Sequence, residues 1–82
     1  MIEAHLNLGV ALRADGRLAE AIGAFQATIA RRPDFAAAHY NLAKALLALE
    51  RRPEAAAEAR TADSLHPSAD SRALLNQAEA AP

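Results

Sequence analysis

The sequence predicts an all-α fold in which a helix-turn-helix unit occurs twice and a last helix closes the stack. Three observations carry that prediction. The stretch "HLNLGVAL" at residues 5–12 returns as "HYNLAKAL" at 39–46, a period of 34 residues. Within each copy the apolar residues recur at helical spacing: Leu8 and Leu12, then Ala21, Phe25 and Ile29 in the first; Leu42, Leu46 and Leu49, then Ala55, Ala59 and Ala62 in the second. Composition agrees with thin, close-packed helical cores, because 24 of the 82 residues are Ala and aromatics make up only 4%.

The spacing predicts helices at about 2–15, 18–31, 35–49, 53–65 and 69–80. Asp15-Gly16 stops the first, since Gly accepts the left-handed conformation that follows a last helical turn. Pro53 suits the first turn of the fourth, where its missing N–H is not needed. Arg31-Arg32 and Arg51-Arg52 each precede a Pro and place positive charge near helix C-termini, where the dipole favours it. Asp34 and Ser68, again 34 apart, are expected to be N-caps of the third and fifth helices.

Laid one under the other, the two copies place His5 on His39, Asn7 on Asn41, Leu8 on Leu42, Gly9 on Ala43, Leu12 on Leu46, Ala21 on Ala55 and Pro33 on Pro67. A helix-turn-helix unit of this length carrying L-G, A-x3-F and P at these slots resembles the tetratricopeptide repeat. The resemblance implies a right-handed α-α superhelix, a single domain over 1–82 with repeats at 2–35 and 36–69 and a capping helix at 69–80. It also implies that Leu8 and Leu12 fill the space between paired helices, that Gly9 and Ala43 allow close approach, and that Ala21 and Ala55 are small at the crossing. The copies depart from the family pattern in having His at the Trp slot and Leu at the Tyr slot. Ala59 replaces the large aromatic, so the second copy is expected to be the less bulky and weaker repeat. Residues 70–82 do not continue the motif, and Leu74 and Leu75 are the expected anchors of the last helix.

Several function classes are excluded on composition. Without Cys there is no disulfide framework, thiolate metal site or Cys nucleophile. No apolar run approaches the roughly 20 residues that span a bilayer, and the first residues lack a signal-peptide pattern, so a cytoplasmic protein without membrane contact is expected. Charge is interleaved and sums to −1, which leaves no basic face for nucleic acid. No H-E-x-x-H, phosphate-binding Gly loop or G-x-S-x-G occurs, so no enzyme, metal or cofactor is expected. His5 and His39 could meet across adjacent first helices, but two imidazoles make a poor zinc site, and packing in place of Trp is the simpler reading. Eight Arg to one Lys, with abundant Ala, is the usual mark of a GC-rich coding sequence, most often bacterial.

In tetratricopeptide arrays the first helices line a concave groove that holds a peptide segment of a partner. Carried over by slot, the resemblance places Glu3, Leu6, Asn7, Val10 and Arg13 there from the first copy and Tyr40, Asn41, Lys44 and Leu47 from the second. For Leu6, Val10 and Leu47 packing in the core is the stronger reading, and the candidate peptide-binding set is Asn7, Val10, Arg13, Tyr40, Asn41 and Lys44. An Asn amide donates and accepts, so a ladder of Asn7 and Asn41 could hold successive peptide groups, as in the similar arms of O-linked N-acetylglucosamine transferases. The alternative is that both amides bond a neighbouring helix. A chaperone-tail clamp is rejected, because only Asn41 matches its pattern of Lys, Asn and Arg, although Arg13 and Lys44 could attract an acidic segment as ordinary surface cations. So few repeats imply a homo-oligomer formed by stacking or swapping a helix, or a fragment of a longer array. A separate reading makes the repeats the substrate-recruiting arm of a larger enzyme.

Overall fold

The computed structural model describes residues 2–80, with side chains from Ala4 onward, and within these it is entirely helical. The elements run α1 (Ile2–Ala14), α2 (Leu18–Arg31), α3 (Ala36–Ala48), α4 (Arg52–Leu65) and α5 (Ala69–Glu79). Every end falls within one residue of its expected place. Each helix packs on the next in sequence, and the slighter α1–α3 and α3–α5 contacts align the odd-numbered helices along one side of a particle of 35 × 26 × 18 Å.

The turns inside the two hairpins are the same motif. At the end of α1 the Arg17 N–H donates to Leu12 O at 2.9 Å and the Gly16 N–H to Arg13 O at 3.1 Å, with Gly16 at φ +81°. At the end of α3 the Arg51 N–H donates to Leu46 O and the Glu50 N–H to Leu47 O, both at 2.9 Å, with Glu50 at φ 61°. Both are Schellman closures, which use the left-handed residue to satisfy the last carbonyls of the helix. Glu50 stands where the first repeat has Gly16, and carries a Cβ into a conformation that disfavours one.

The next helix starts alike in both hairpins. Arg17 forks onto Glu20 with contacts of 3.0 and 2.7 Å, and Arg51 onto Glu54 with 2.9 and 2.6 Å. The fork holds the Glu54 carboxyl below its ordinary pKa. At α5 the expected cap is present: Ser68 Oγ accepts from the Ser71 N–H at 3.0 Å. Asp34 does not cap α3. The helix begins one residue later, at Ala36, so Phe35 takes the cap position without a side-chain bond, and Asp34 lies 3.8 Å from Arg32.

The core runs from α2 through α3 and α4 to α5. Phe25 is fully buried, and around it lie Ala21, Ile22, Leu42, Ala45, Leu46, Ala55 and Ala56, flanked by Leu6, Leu12 and Ile29. Gly9 supports the ring directly, since a Cβ built there would lie 2.4–2.9 Å from three Phe25 ring atoms. Ala43, Ala59 and Leu74 form a second cluster, with Tyr40, Leu47 and Leu75 packed on it. One expectation changes here. Leu8 is 53% exposed, because among the described residues no helix lies against the outer side of α1, whereas its counterpart Leu42 is 3% exposed under α2. The second hairpin is the more deeply buried, despite the small Ala59, because α2 and α5 flank it on both sides.

Helix α5 is held by Leu74 and Leu75 as expected, but in a shifted register. Its inward stripe is Ser71, Leu74, Leu75 and Ala78, the same i, i+3, i+4, i+7 spacing as His39, Leu42, Ala43 and Leu46, set two residues short of the 34-residue period. The slots that the period would assign, Ala73, Asn76, Gln77 and Ala80, are exposed. Asp63 clasps the start of this helix, accepting from Ser71 Oγ at 2.9 Å and lying 3.4 Å from Arg72 Nε.

Candidate functional site

The side formed by α1, α3 and α5 carries the candidate residues. Helical spacing puts Tyr40, Lys44 and Leu47 one above another on α3, facing α5. Tyr40 and Leu47 rest their apolar parts on the Ala43–Ala59–Leu74 cluster, so they are half-buried rather than free. The Lys44 ammonium lies over the Tyr40 ring, 5.4 Å from its centroid, a cation–π contact.

Two pockets flank this column. One, of about 200 Å³, opens between the start of α3, the end of α4 and the start of α5, with Ala37, Tyr40, Ala62, His66 and Ser71 in its wall. The other, of about 410 Å³, lies toward the opposite end, with Arg13, Lys44, Leu47, Arg52, Leu74 and Gln77 in its wall. Arg52 is anchored there by a bond from Nη1 to Gln77 O at 3.1 Å. Thus Arg13 and Lys44 are brought together, Tyr40 belongs to the first pocket, and Asn7, Val10 and Asn41 line neither. Asn7 and Val10 are exposed on α1; Val10, at 36%, is not a core residue, unlike Leu6 and Leu47. Asn41 donates from Nδ2 to Ala37 O in its own helix at 2.8 Å, which engages one of its two amide hydrogens and leaves the other, with Oδ1, for a partner. Glu3 lies outside the described side chains.

His39 is structural. Its ring, 7% exposed, meets acceptors on both sides, Glu58 Oε1 at 2.7 Å from Nδ1 and Pro33 O at 2.7 Å from Nε2, and so ties the inter-repeat turn to α4. His5 is half-buried, and His66 ends α4 with its N–H on Ala62 O. Among the described residues no three His, Cys, Asp or Glu side chains gather as metal ligands would, and no helix is long and apolar enough to cross a membrane.

Sequence reasoning missed Arg52 and Gln77, which come from the start of α4 and the end of α5 and share no local pattern with Arg13 or Lys44. It also missed the Arg17–Glu20 and Arg51–Glu54 forks, although both members of each pair repeat at 34 residues. Compared with known proteins, residues 6–70 match the family model described as Tetratricopeptide repeat. No curated protein matches the chain.

Proposed function

We propose, from the premise that this chain belongs to the tetratricopeptide repeat family, that it is a non-enzymatic interaction module holding a peptide segment of a partner on the α1–α3–α5 face. In this proposal residues 2–35 and 36–69 are its two repeats and α5 its capping helix, in one domain. Repeats of this family are in general protein-interaction modules, and the coarse function follows from membership. The observation that supports the finer reading is the column of Tyr40, Lys44 and Leu47, an amphipathic surface with a pocket at each end. Rings with a polar tip and cations beside apolar side chains are the groups that concentrate at recognition surfaces.

Selection of displayed random dodecapeptides against the full chain tests it. Enriched peptides should lose about tenfold in affinity with Tyr40→Ala or Lys44→Ala, and nothing with Arg31→Ala on the exposed end of α2. Peptides indifferent to both groove substitutions would refute this reading.

A second reading, self-association, is favoured by a separate observation. Ala38, Leu42 and Ala45 are 0%, 3% and 0% exposed beneath α2. Their counterparts Ala4, Leu8 and Ala11 all face outward on α1. A second copy covering that stripe would continue the helix-on-helix packing already present between α2 and α3. Light scattering over a hundredfold range of concentration checks this: a dimer that Leu8→Lys converts to monomer supports it, and a monomer throughout refutes it.

A further inference from the structure

We infer that His39 and Glu58 form a proton-dependent clasp between the inter-repeat turn and α4, closed while the pair holds one proton more than a neutral imidazole and a carboxylate, and open once that proton is lost. The inference is independent of the groove reading.

The hydrogen-bond inventory of the ring carries it. Nε2 lies 2.7 Å from Pro33 O, and Nδ1 lies 2.7 Å from Glu58 Oε1. A backbone carbonyl only accepts, so the hydrogen on that side belongs to Nε2. A neutral imidazole has a single ring hydrogen, and with it on Nε2 the Nδ1 atom presents a lone pair. A carboxylate oxygen opposite that lone pair sets two acceptors face to face unless a second hydrogen lies between them. Both short contacts therefore exist together only with the extra proton, whichever of the two groups it is counted on. Burial makes the condition strict, because the His39 side chain is 9% exposed and water has little access to replace a missing donor.

The elements around the ring leave Glu58 as the group that shares this proton. In the α2–α3 turn Arg32 and Asp34 lie 3.8 Å from each other. On α4 the carboxylate of Asp63 is engaged by Ser71 and Arg72 from α5. On α1, His5 occupies the slot of His39 in the first repeat, where the position equivalent to Glu58 is Ala24. The clasp is thus built once, at the joint between the repeats.

Loss of the proton has a ready outcome. The Glu58 side chain is already 30% exposed, so it turns to solvent while Nε2–H keeps its bond to Pro33 O. The turn stays tied to α3, and α4 loses its polar tie to both.

Nitrogen-resolved NMR of the full chain from about pH 5 to about pH 9, a range that brackets the ordinary histidine value, tests the clasp. At the acid end both ring nitrogens of His39 should carry hydrogens, and at the alkaline end only Nε2. Across the same range the α4 amides on either side of Glu58, corrected for the intrinsic effect of pH on exchange, should lose about tenfold in protection, the weight of one charge-assisted hydrogen bond. Glu58→Gln supplies an amide that donates to a neutral ring and accepts from a charged one, so its protection should change by less than about twofold. A ring with one hydrogen at the acid end, or a ring unchanged across the range, would overturn the inference. So would equal losses of protection in the parent and in Glu58→Gln, or a parent whose ring titrates while its protection holds.

Discussion

The first hairpin sets Gly9 beneath the Phe25 ring, whereas the second sets Ala43 against Ala59 at the equivalent positions. The two pairs exchange size across the same helix crossing. Where the ring is present the facing position must lack a Cβ; where the ring is absent a methyl fits, and Tyr40, Leu47, Leu74 and Leu75 close over the space. Both crossings are close-packed, as protein interiors require, but different residues fill them. The burial of each hairpin differs for another reason. The second is enclosed by α2 and α5, and the first offers Leu8 and its neighbours to solvent.

The sharpest way to break this comparison is a double-mutant cycle at the first crossing. Phe25→Ala should cost about 3–5 kcal/mol by urea denaturation, enough to threaten the fold of so small a protein. Gly9→Ala alone should cost roughly 1–3 kcal/mol by overpacking against a ring that cannot move, despite Ala's better helix propensity. In the Phe25→Ala background that cost should vanish, since the double variant reproduces the second repeat's pair. Additive penalties would show that the two positions do not exchange size.

Truncating the paired leucines sharpens the second contrast. Leu42→Ala should destabilise by about 2–5 kcal/mol, and Leu8→Ala by less than about 0.5 kcal/mol when measured at dilutions where the chain is monomeric. Equal losses at the two sites would mean that Leu8 is covered in solution.

A smaller effect is expected at the two left-handed closures. Gly16→Ala meets no atom within 4 Å, so its expected cost, about 1–2 kcal/mol, is backbone strain alone. Glu50→Gly should gain up to about 1 kcal/mol, and thermal melting should therefore move in opposite directions for the two variants. A drop in melting temperature with Glu50→Gly would assign Glu50 a stabilising contact that outweighs its strain.

The least effect is expected where α5 is clasped. The Ser71 hydroxyl above all, helped by the charge of Arg72, holds the Asp63 carboxyl below its ordinary pKa. The folded value lies below the unfolded one, so the stability it contributes is complete above the usual carboxylate value of about 3.9 and is lost as pH falls through the lowered folded value. Asp63→Asn should therefore be less stable than the parent near neutral pH, with the gap closing as the solution is acidified through and below the usual carboxylate range. A gap independent of pH would show that Asp63 acts through shape and not through its charge.

Much of this architecture is legible locally. The Gly16 stop, the Ser68 cap and Pro53 mark helix ends that need only a turn or so of chain to form. Glu50 is the instructive miss: it aligns with Gly16, so the repeat itself signalled a left-handed residue there although propensity did not. Asp34 failed as a cap because one residue of slippage in the α2–α3 turn moved the helix start past it. Asn41 is half explained, since the bond to Ala37 gives its amide a use within the helix.

The sequence by itself determined the number, order and bounds of the helices and their pairing into repeats, because periodicity, caps and the 34-residue self-similarity are properties of nearby residues. Only the tertiary structure decided that Leu8 is exposed while Leu42 is buried, that α5 turns its stripe two residues out of register, and that Arg13, Lys44 and Arg52 meet in one pocket. Burial and convergence belong to pairs of packed elements distant in the chain. No pattern within a single helix encodes which neighbour, if any, will lie against it.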